Sequence, residues 1–231
     1  QYLYLKHSGY VRLTNKNAVA IIDVAKIGPD YLPAHSHADT LSFELSLFKK
    51  RVLVNSGTSV YKTGLKREFE RSTKAHNTVV INNENSSEVW HSFRVARRAY
   101  PFNYKLNKLK NLLSISCKHD GYKRLKGKPI HQRNWTFSKN FLVVEDSVKG
   151  HFNEAFAYFY IHPSIKIKFN QLDKFILCLT NNKQVSVIIL KGKASLISST
   201  FAPNFGINLQ SSCIKVKLEC QSSKIIFSWQ N

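Results

Sequence analysis

The stretch TLSFELSLFKKRVLVNSG, residues 40–57, alternates apolar and polar side chains, breaks at two lysines, and resumes as a β-branched run. Alternation of this kind is the mark of a half-buried strand, and a short charged break between two such runs marks a hairpin. The stretch therefore predicts two antiparallel strands with the turn at Lys49–Lys50. The rest of the chain repeats the pattern. GYVRLTN, HNTVVIN, LLSISCKH, RNWTFS, FLVVEDSV, EAFAYFYIH, VSVIIL, CIKVKLEC and KIIFSW follow one another with turn-forming Asn, Gly, Lys and Ser between them. Helical periodicity is almost absent. Many short strands with regular turn signals predict an all-β fold, a large antiparallel β-sandwich with few or no helices.

The chain has 231 residues, enough to bury a substantial core as one domain. No internal repeat or low-complexity linker divides it, so residues 1–231 are read as a single domain. The Lys/Ser-rich tail after about residue 163 is read as a far sheet or a subdomain. With no methionine and Gln1 at its start, the chain reads as a segment of a longer or processed protein. No apolar run approaches the length of a membrane span. The four cysteines, Cys117, Cys178, Cys213 and Cys220, include no CxxC pair. Neither a zinc knuckle nor a dense disulfide framework is indicated, though export would allow one or two bridges.

Lysine and arginine number 35 against 14 acidic residues, a formal charge of +21. Such a field attracts polyanions: an acidic polysaccharide, nucleic acid or an anionic membrane face. No nucleic-acid-binding signature accompanies the charge, so no specific nucleic-acid partner is expected. Scattered lysines are equally a compositional habit.

Just upstream of the hairpin lies LPAHSHAD, residues 32–39. If the strand begins there, His35 and His37 share one face, one ring free for substrate and the other for a metal. Asn55 ends the second strand of the hairpin and His76 opens HNTVVIN, so His37, Asn55 and His76 form a candidate metal set. Zinc prefers His, Cys or a carboxylate; a neutral amide makes a weak third ligand, and hydrogen-bonded structural histidines fit the same pattern. Tyr61 heads YKTGLKREFERSTKA, residues 61–75, read as a long loop with one helical turn. His35, Tyr61 and His119 are the candidate catalytic groups. KHDGYKRLKGKPIHQRNW adds Tyr122 and Arg124, and EVWHSFRVARRAY adds Trp90 and Arg94. Aromatics stack on sugar rings and arginines grip anions, so these four are candidate substrate contacts. A solvated loop and an exposed basic strand are the plain alternatives.

Taken together, YLPAHSHADTLSFELSLFKKRVLVNSGTSVY, RSTKAHNTVVINNENSSEVWHSFRVARRA and HDGYKRL…HQRNW…LVVEDSV resemble the C-terminal β-sandwich domain of the heparinase II/III-like family, bacterial polysaccharide lyases and their relatives. The likeness runs from about Gly9 to about Pro163. It implies a double-sheet supersandwich. It implies that His35 is the active-site histidine and that His37 and His76 are ligands of a divalent ion such as zinc, with Asn55 where the family has an aspartate. It implies β-elimination on acidic, uronate-containing glycans, with the catalytic tyrosine and the carboxylate-neutralising residue on a helical toroid domain N-terminal to the sandwich. A periplasmic or otherwise extracytoplasmic site of action follows, as does the alternative of a non-catalytic carbohydrate-binding or assembly module in surface-polysaccharide synthesis.

Overall fold

A computed structural model describes residues 1–171 and 173–230. Strands β1 (Tyr2–Leu5), β2 (Tyr10–Thr14) and β3 (Ala18–Asp23) lead into the hairpin of β4 (Phe43–Leu47) and β5 (Lys50–Leu53). The turn is one residue earlier than the lysine pair predicts. Leu47 pairs with Lys50, and Phe48 and Lys49 take φ of 51° and 63°. Positive φ at both central residues matches the right-handed twist of the flanking strands. Phe43, Leu45 and Leu47 face the core, at 1% exposure or less.

Residues 61–75 contain more helix than expected. Helix α1 (Leu65–Arg71) makes two turns and a 3-10 turn covers Thr73–Ala75. After β6 (Val79–Ile81) and the small hairpin β7 (Val89–Trp90) and β8 (Arg94–Val95) come long strands. These are β9 (Pro101–Leu109), β10 (Leu112–His119), β11 (Ile130–Phe137), β12 (Phe141–Lys149) and β13 (Ala155–Ile161). The tail adds β14 (Lys166–Gln171), β15 (Lys174–Cys178), β16 (Gln184–Lys191), β17 (Lys193–Phe201), β18 (Leu209–Lys217) and β19 (Ser222–Trp229).

One sheet runs β1-β2-β3-β4-β5-β13-β18-β17, with β6 also on β13; the other runs β14-β15-β16-β19-β12-β11-β10-β9. The tail is no separate subdomain: β17 and β18 complete the first sheet and the rest extend the second. Both sheets contribute to one continuous apolar core. At its centre Trp135 of β11 meets Phe43 of β4 edge-on at 6.4 Å, and Phe43 meets Phe159 of β13 at 6.2 Å. The cysteines are free thiols. No described helix is long and apolar enough to cross a membrane.

The inward faces of β10, β11 and β12 are not wholly apolar. His119 pairs across the sheet with His131, and Arg133 with Asp146, and all four are buried. The Gly121 N–H donates to His119 Nδ1 (3.2 Å), so His119 Nε2 carries the proton and donates to His131 Nδ1 (3.1 Å). His131 Nε2 then donates to Asp146 (2.7 Å). Arg133 clasps Asp146 with two bonds of 2.7 and 2.8 Å and donates to the carbonyls of Leu41 (3.1 Å) and Asn77. The island is therefore filled from one sheet and anchored on the segments that lead into β4 and β6 of the other.

Asn77 is the receiving post. Its amide donates to the Phe43 carbonyl (2.8 Å), and its Oδ1 accepts the Tyr160 N–H (2.6 Å). Asn77→Ala strands both of those buried backbone groups, each worth about 1–3 kcal/mol. We expect a loss of about 2–4 kcal/mol in urea unfolding; a change within about 0.5 kcal/mol would show that β4 and β13 do not depend on this clasp.

Candidate functional site: a histidine-lined cleft

The strand does not begin at His35. Residues 35–42 form turns, and β4 starts only at Phe43, so His35 and His37 do not share a strand face. They nevertheless line one cleft of about 960 Å³ with Tyr10, Asp23, Lys26 and Asp39. His35 is exposed and His37 half-buried.

What holds the cleft wall is a helix with its polarity reversed. In α1, LKREFER, the residues at helical spacing 67, 70 and 71 are the buried ones, whereas Leu65 is 86% exposed. Each buried charge is spent on backbone groups of a loop. Glu70 accepts the N–H groups of Ser59 (3.0 Å) and Val60 (3.4 Å) and the Ser59 hydroxyl. Arg67 donates through Nε to Ser92 O (3.1 Å). Arg71 donates to Ser36 O (3.1 Å), Trp90 O (3.2 Å) and His91 O (3.3 Å). One short helix thus ties the 36, 59 and 90–92 segments to one another through their backbone groups. The sequence predicts a long loop with one helical turn here and does not single out Arg67, Glu70 or Arg71. Their i, i+3, i+4 spacing was the available signal.

His37 and His76 touch directly. His76 Nδ1 lies 2.7 Å from the Ser72 carbonyl, which can only accept, so Nδ1 carries the proton and Nε2 is free to accept. His37 Nδ1, 3.1 Å from that Nε2, is then the donor. His37 Nε2 faces Arg67 Nη1 at 3.5 Å and Thr58 Oγ1 at 3.4 Å; a guanidinium can only donate. Every link runs one way, from Arg67 through two neutral imidazoles to Ser72. Burial, with His76, Arg67 and Arg71 nearby, pushes His37 down to about 2. Burial also lowers Arg71 to about 10.

Asn55 is one residue from this chain: its Oδ1 accepts the Asn77 N–H at 2.9 Å, and its own N–H donates to Glu44 (3.2 Å). The three residues of the candidate metal set are thus drawn to one neighbourhood, but their chemistry suits a divalent ion poorly. The third donor is a neutral amide whose oxygen is already engaged. Among the described residues no third His, Cys, Asp or Glu joins the two imidazoles as a ligand group. The charged group within 3.5 Å of His37 is a cation, Arg67. These residues do not fit a zinc site, which prefers anionic or imidazole donors in a closed set.

On the cleft floor, Asp23 and Asp39 interact. Asp23 is buried, with Oδ1 accepting the Ala25 N–H (2.8 Å). Burial and Asp39's charge hold the Asp23 carboxyl well above its usual range, and burial does the same to Asp39 against the opposing pull of His76. Asp23 and then burial raise the Tyr10 phenol.

At the cleft mouth, His35 packs edge-on against Tyr61 (5.4 Å) and Phe93 (5.3 Å). Tyr61 leans on Phe93 (5.7 Å) and Phe205 (5.0 Å), and the Arg67 guanidinium lies over its ring (5.0 Å). Tyr61 is therefore beside His35. His119 is not: it lies wholly inside, in the island described above. Tyr122 is likewise interior, its hydroxyl donating to Val79 O at 2.7 Å. Trp90 and Arg124 line a separate hollow of about 390 Å³ with Glu84 and Glu88, and Arg94 pairs with Trp90 across the β7–β8 hairpin.

Two broad antiparallel sheets over one core, with the polar cleft carried on loops, define the domain as a β-supersandwich. The chain belongs to the Heparinase II/III-like, C-terminal family, whose model matches residues 2–230. Among solved structures, the heparan sulfate lyase HepC from Pedobacter heparinus superimposes with a TM-score of 0.80 at 16% identity, covering 100% of this chain and 36% of that one. A structure of heparinase III gives 0.77 at 17%, with 99% and 36% covered. A 4-alpha-glucanotransferase from Thermococcus litoralis gives 0.51 at 10%, with 100% and 41% covered. These likenesses are of fold. The chain spans about a third of the length of the two lyase structures. No curated protein sequence matches it.

Proposed function

We propose that this chain is the sandwich domain of a polysaccharide lyase-like protein that cleaves acidic, uronate-containing glycans by β-elimination. The observation that carries the reading is His35, exposed at the mouth of a large polar cleft and braced by Tyr61 and Phe93. In the reaction a base takes the C5 proton beside the uronate carboxylate. The C5–H electron pair becomes the C4=C5 double bond as the C4–O bond breaks, and the departing oxygen takes up a proton. An imidazole at that point can hold or pass a proton. The remaining machinery, including neutralisation of the carboxylate, belongs in this reading to a helical domain N-terminal to the sandwich. The +21 charge draws an acidic glycan to the surface, and an extracytoplasmic site of action in a bacterium suits a polymeric substrate.

A second reading is a carbohydrate-binding or assembly module without catalysis. Asn55, in the place of an aspartate, favours it. Ultraviolet absorbance of an unsaturated uronate product, with full-length protein on uronate-containing glycans, separates the two. In the lyase reading His35→Ala lowers turnover by about a hundredfold or more while leaving the melting temperature nearly unchanged, since the side chain is exposed. Unchanged turnover would remove His35 from the reaction. Glycan binding with no unsaturated product from the unaltered protein would establish the binding module.

A further inference from the structure

We infer that residue 55 decides whether this site is a metal centre, and that with asparagine there the His37–His76 pair is a metal-free, hydrogen-bonded node one substitution away from holding a divalent ion. The inference stands on the donor set and does not depend on the lyase reading.

The two imidazole nitrogens that face one another are 3.1 Å apart. Two nitrogens on one tetrahedral zinc, at about 2.0–2.1 Å each, are separated by about 3.3 Å. The spacing thus suits either a shared proton or a shared ion, and the surroundings choose between them. Two features choose the proton. First, an ion at His37 Nδ1 must displace the proton there. That proton would have to move to Nε2, where Arg67 Nη1 already points a donor at 3.5 Å. Two facing donors repel. Thr58 Oγ1, at 3.4 Å, is the one neighbour there able to accept. Second, an ion brings two positive charges into a pocket that already contains the buried guanidiniums of Arg67 and Arg71, each with an Nη2 lacking a partner. Asn55 supplies no charge to offset them. Glu44, the carboxylate nearest to Asn55 by hydrogen bonding, is occupied by the Asn55 N–H and by Arg51 at 2.8 Å.

An aspartate at 55 would reverse the second feature without disturbing the frame. One carboxylate oxygen keeps the Asn77 N–H that Asn55 Oδ1 now accepts, and the other, with its negative charge, becomes a ligand. The gain in charge then outweighs the cost of turning the His37 tautomer toward Thr58.

The test uses zinc alone as the probe, on full-length protein exposed to excess metal and then desalted. Unaltered protein should retain less than about 0.1 ion per chain, and Asn55→Asp about one, at least a tenfold difference. Chelator should lower the melting temperature of Asn55→Asp and leave that of the unaltered protein in place. Adding His76→Ala to Asn55→Asp should abolish uptake. If Asn55→Asp does not fold, Asn55→His tests the same point through three imidazoles, a ligand set zinc accepts. About one ion on the unaltered protein, removable with loss of melting temperature, would overturn the inference. So would a folded residue-55 variant of either kind that takes up no metal.

Discussion

Asp146→Ala is expected to cost about 3–5 kcal/mol of unfolding free energy, the largest single-residue effect in the molecule. The carboxylate is 1% exposed and accepts three short bonds, two from Arg133 and one from His131. Its neighbours hold it down, with Arg133 foremost, to about 2 against the opposing effect of burial. Removing it leaves a guanidinium in the core with no counter-charge, and a histidine N–H with no acceptor. The contrast that isolates this cause is the double substitution Asp146→Leu with Arg133→Met. Apolar groups of similar volume lift the desolvation cost of both charges, so the pair should be less damaging than Asp146→Ala alone. Urea unfolding of the three proteins decides it. A loss below about 1 kcal/mol for Asp146→Ala would mean that the island tolerates an unpaired guanidinium, against the general cost of a buried charge.

The second large effect is with acid. Burial holds His37, His119 and His131 below their ordinary range, so the folded chain stays deprotonated where the unfolded chain takes up protons. Unfolded histidine titrates near 6.5. The stability these groups contribute is present above that value and is lost as pH falls from it toward their folded values, which for His37 is about 2. Each such group contributes a limiting slope of about 1.36 kcal/mol per pH unit once the pH is well below 6.5. Asp23 and Asp39 act in the opposite sense. Their raised carboxyls hold a proton that the unfolded chain releases above about pH 4. The carboxyl pair thus offsets part of the histidines' proton uptake, and stability falls most steeply toward the acid end of the range, where the unfolded imidazoles are fully charged. Urea midpoints taken between about pH 7 and pH 5 should fall steeply. A flat profile would mean that the imidazoles are charged in the folded protein, contrary to the one-way hydrogen-bond chains described for them.

The parts of the fold that were legible in the sequence were those governed by period. LSFELSLF alternates because one face of β4 packs on Trp135 and Phe159, and the same logic carried the other strands. What was misplaced was decided by tertiary partners. A shared face for His35 and His37 required the strand to begin at HSHAD, yet the 36 segment is held by Arg71 instead of by a neighbouring strand. LKREFER is charged enough to read as part of a long loop with one helical turn, with no sign of which charges are buried. Arg67, Glu70 and Arg71 are buried because three neighbouring segments offer them backbone partners. His119 and Tyr122 had the residue types of a reactive site; the register of β10 against β11 turns His119 inward, and the short 3-10 turn at residues 121–124 carries Tyr122 to the Val79 carbonyl. Tyr61 and His35 lie together, 26 residues apart, through the same helix, of which the sequence shows only one turn.

The order of strands has a consequence for how the chain is made. β12 waits for β19 on one side, and β13 for β18, so each sheet lacks an interior strand until the final few dozen residues have been synthesised. A ribosome releasing this domain N-terminus first exposes long apolar edges that have no local partner. Pairings this distant along the chain also form slowly. A stop codon within β18 would therefore cost the second sheet its central β19 and the first sheet the strand that joins β17 to β13, and the product would be an aggregating fragment and not a shortened sandwich.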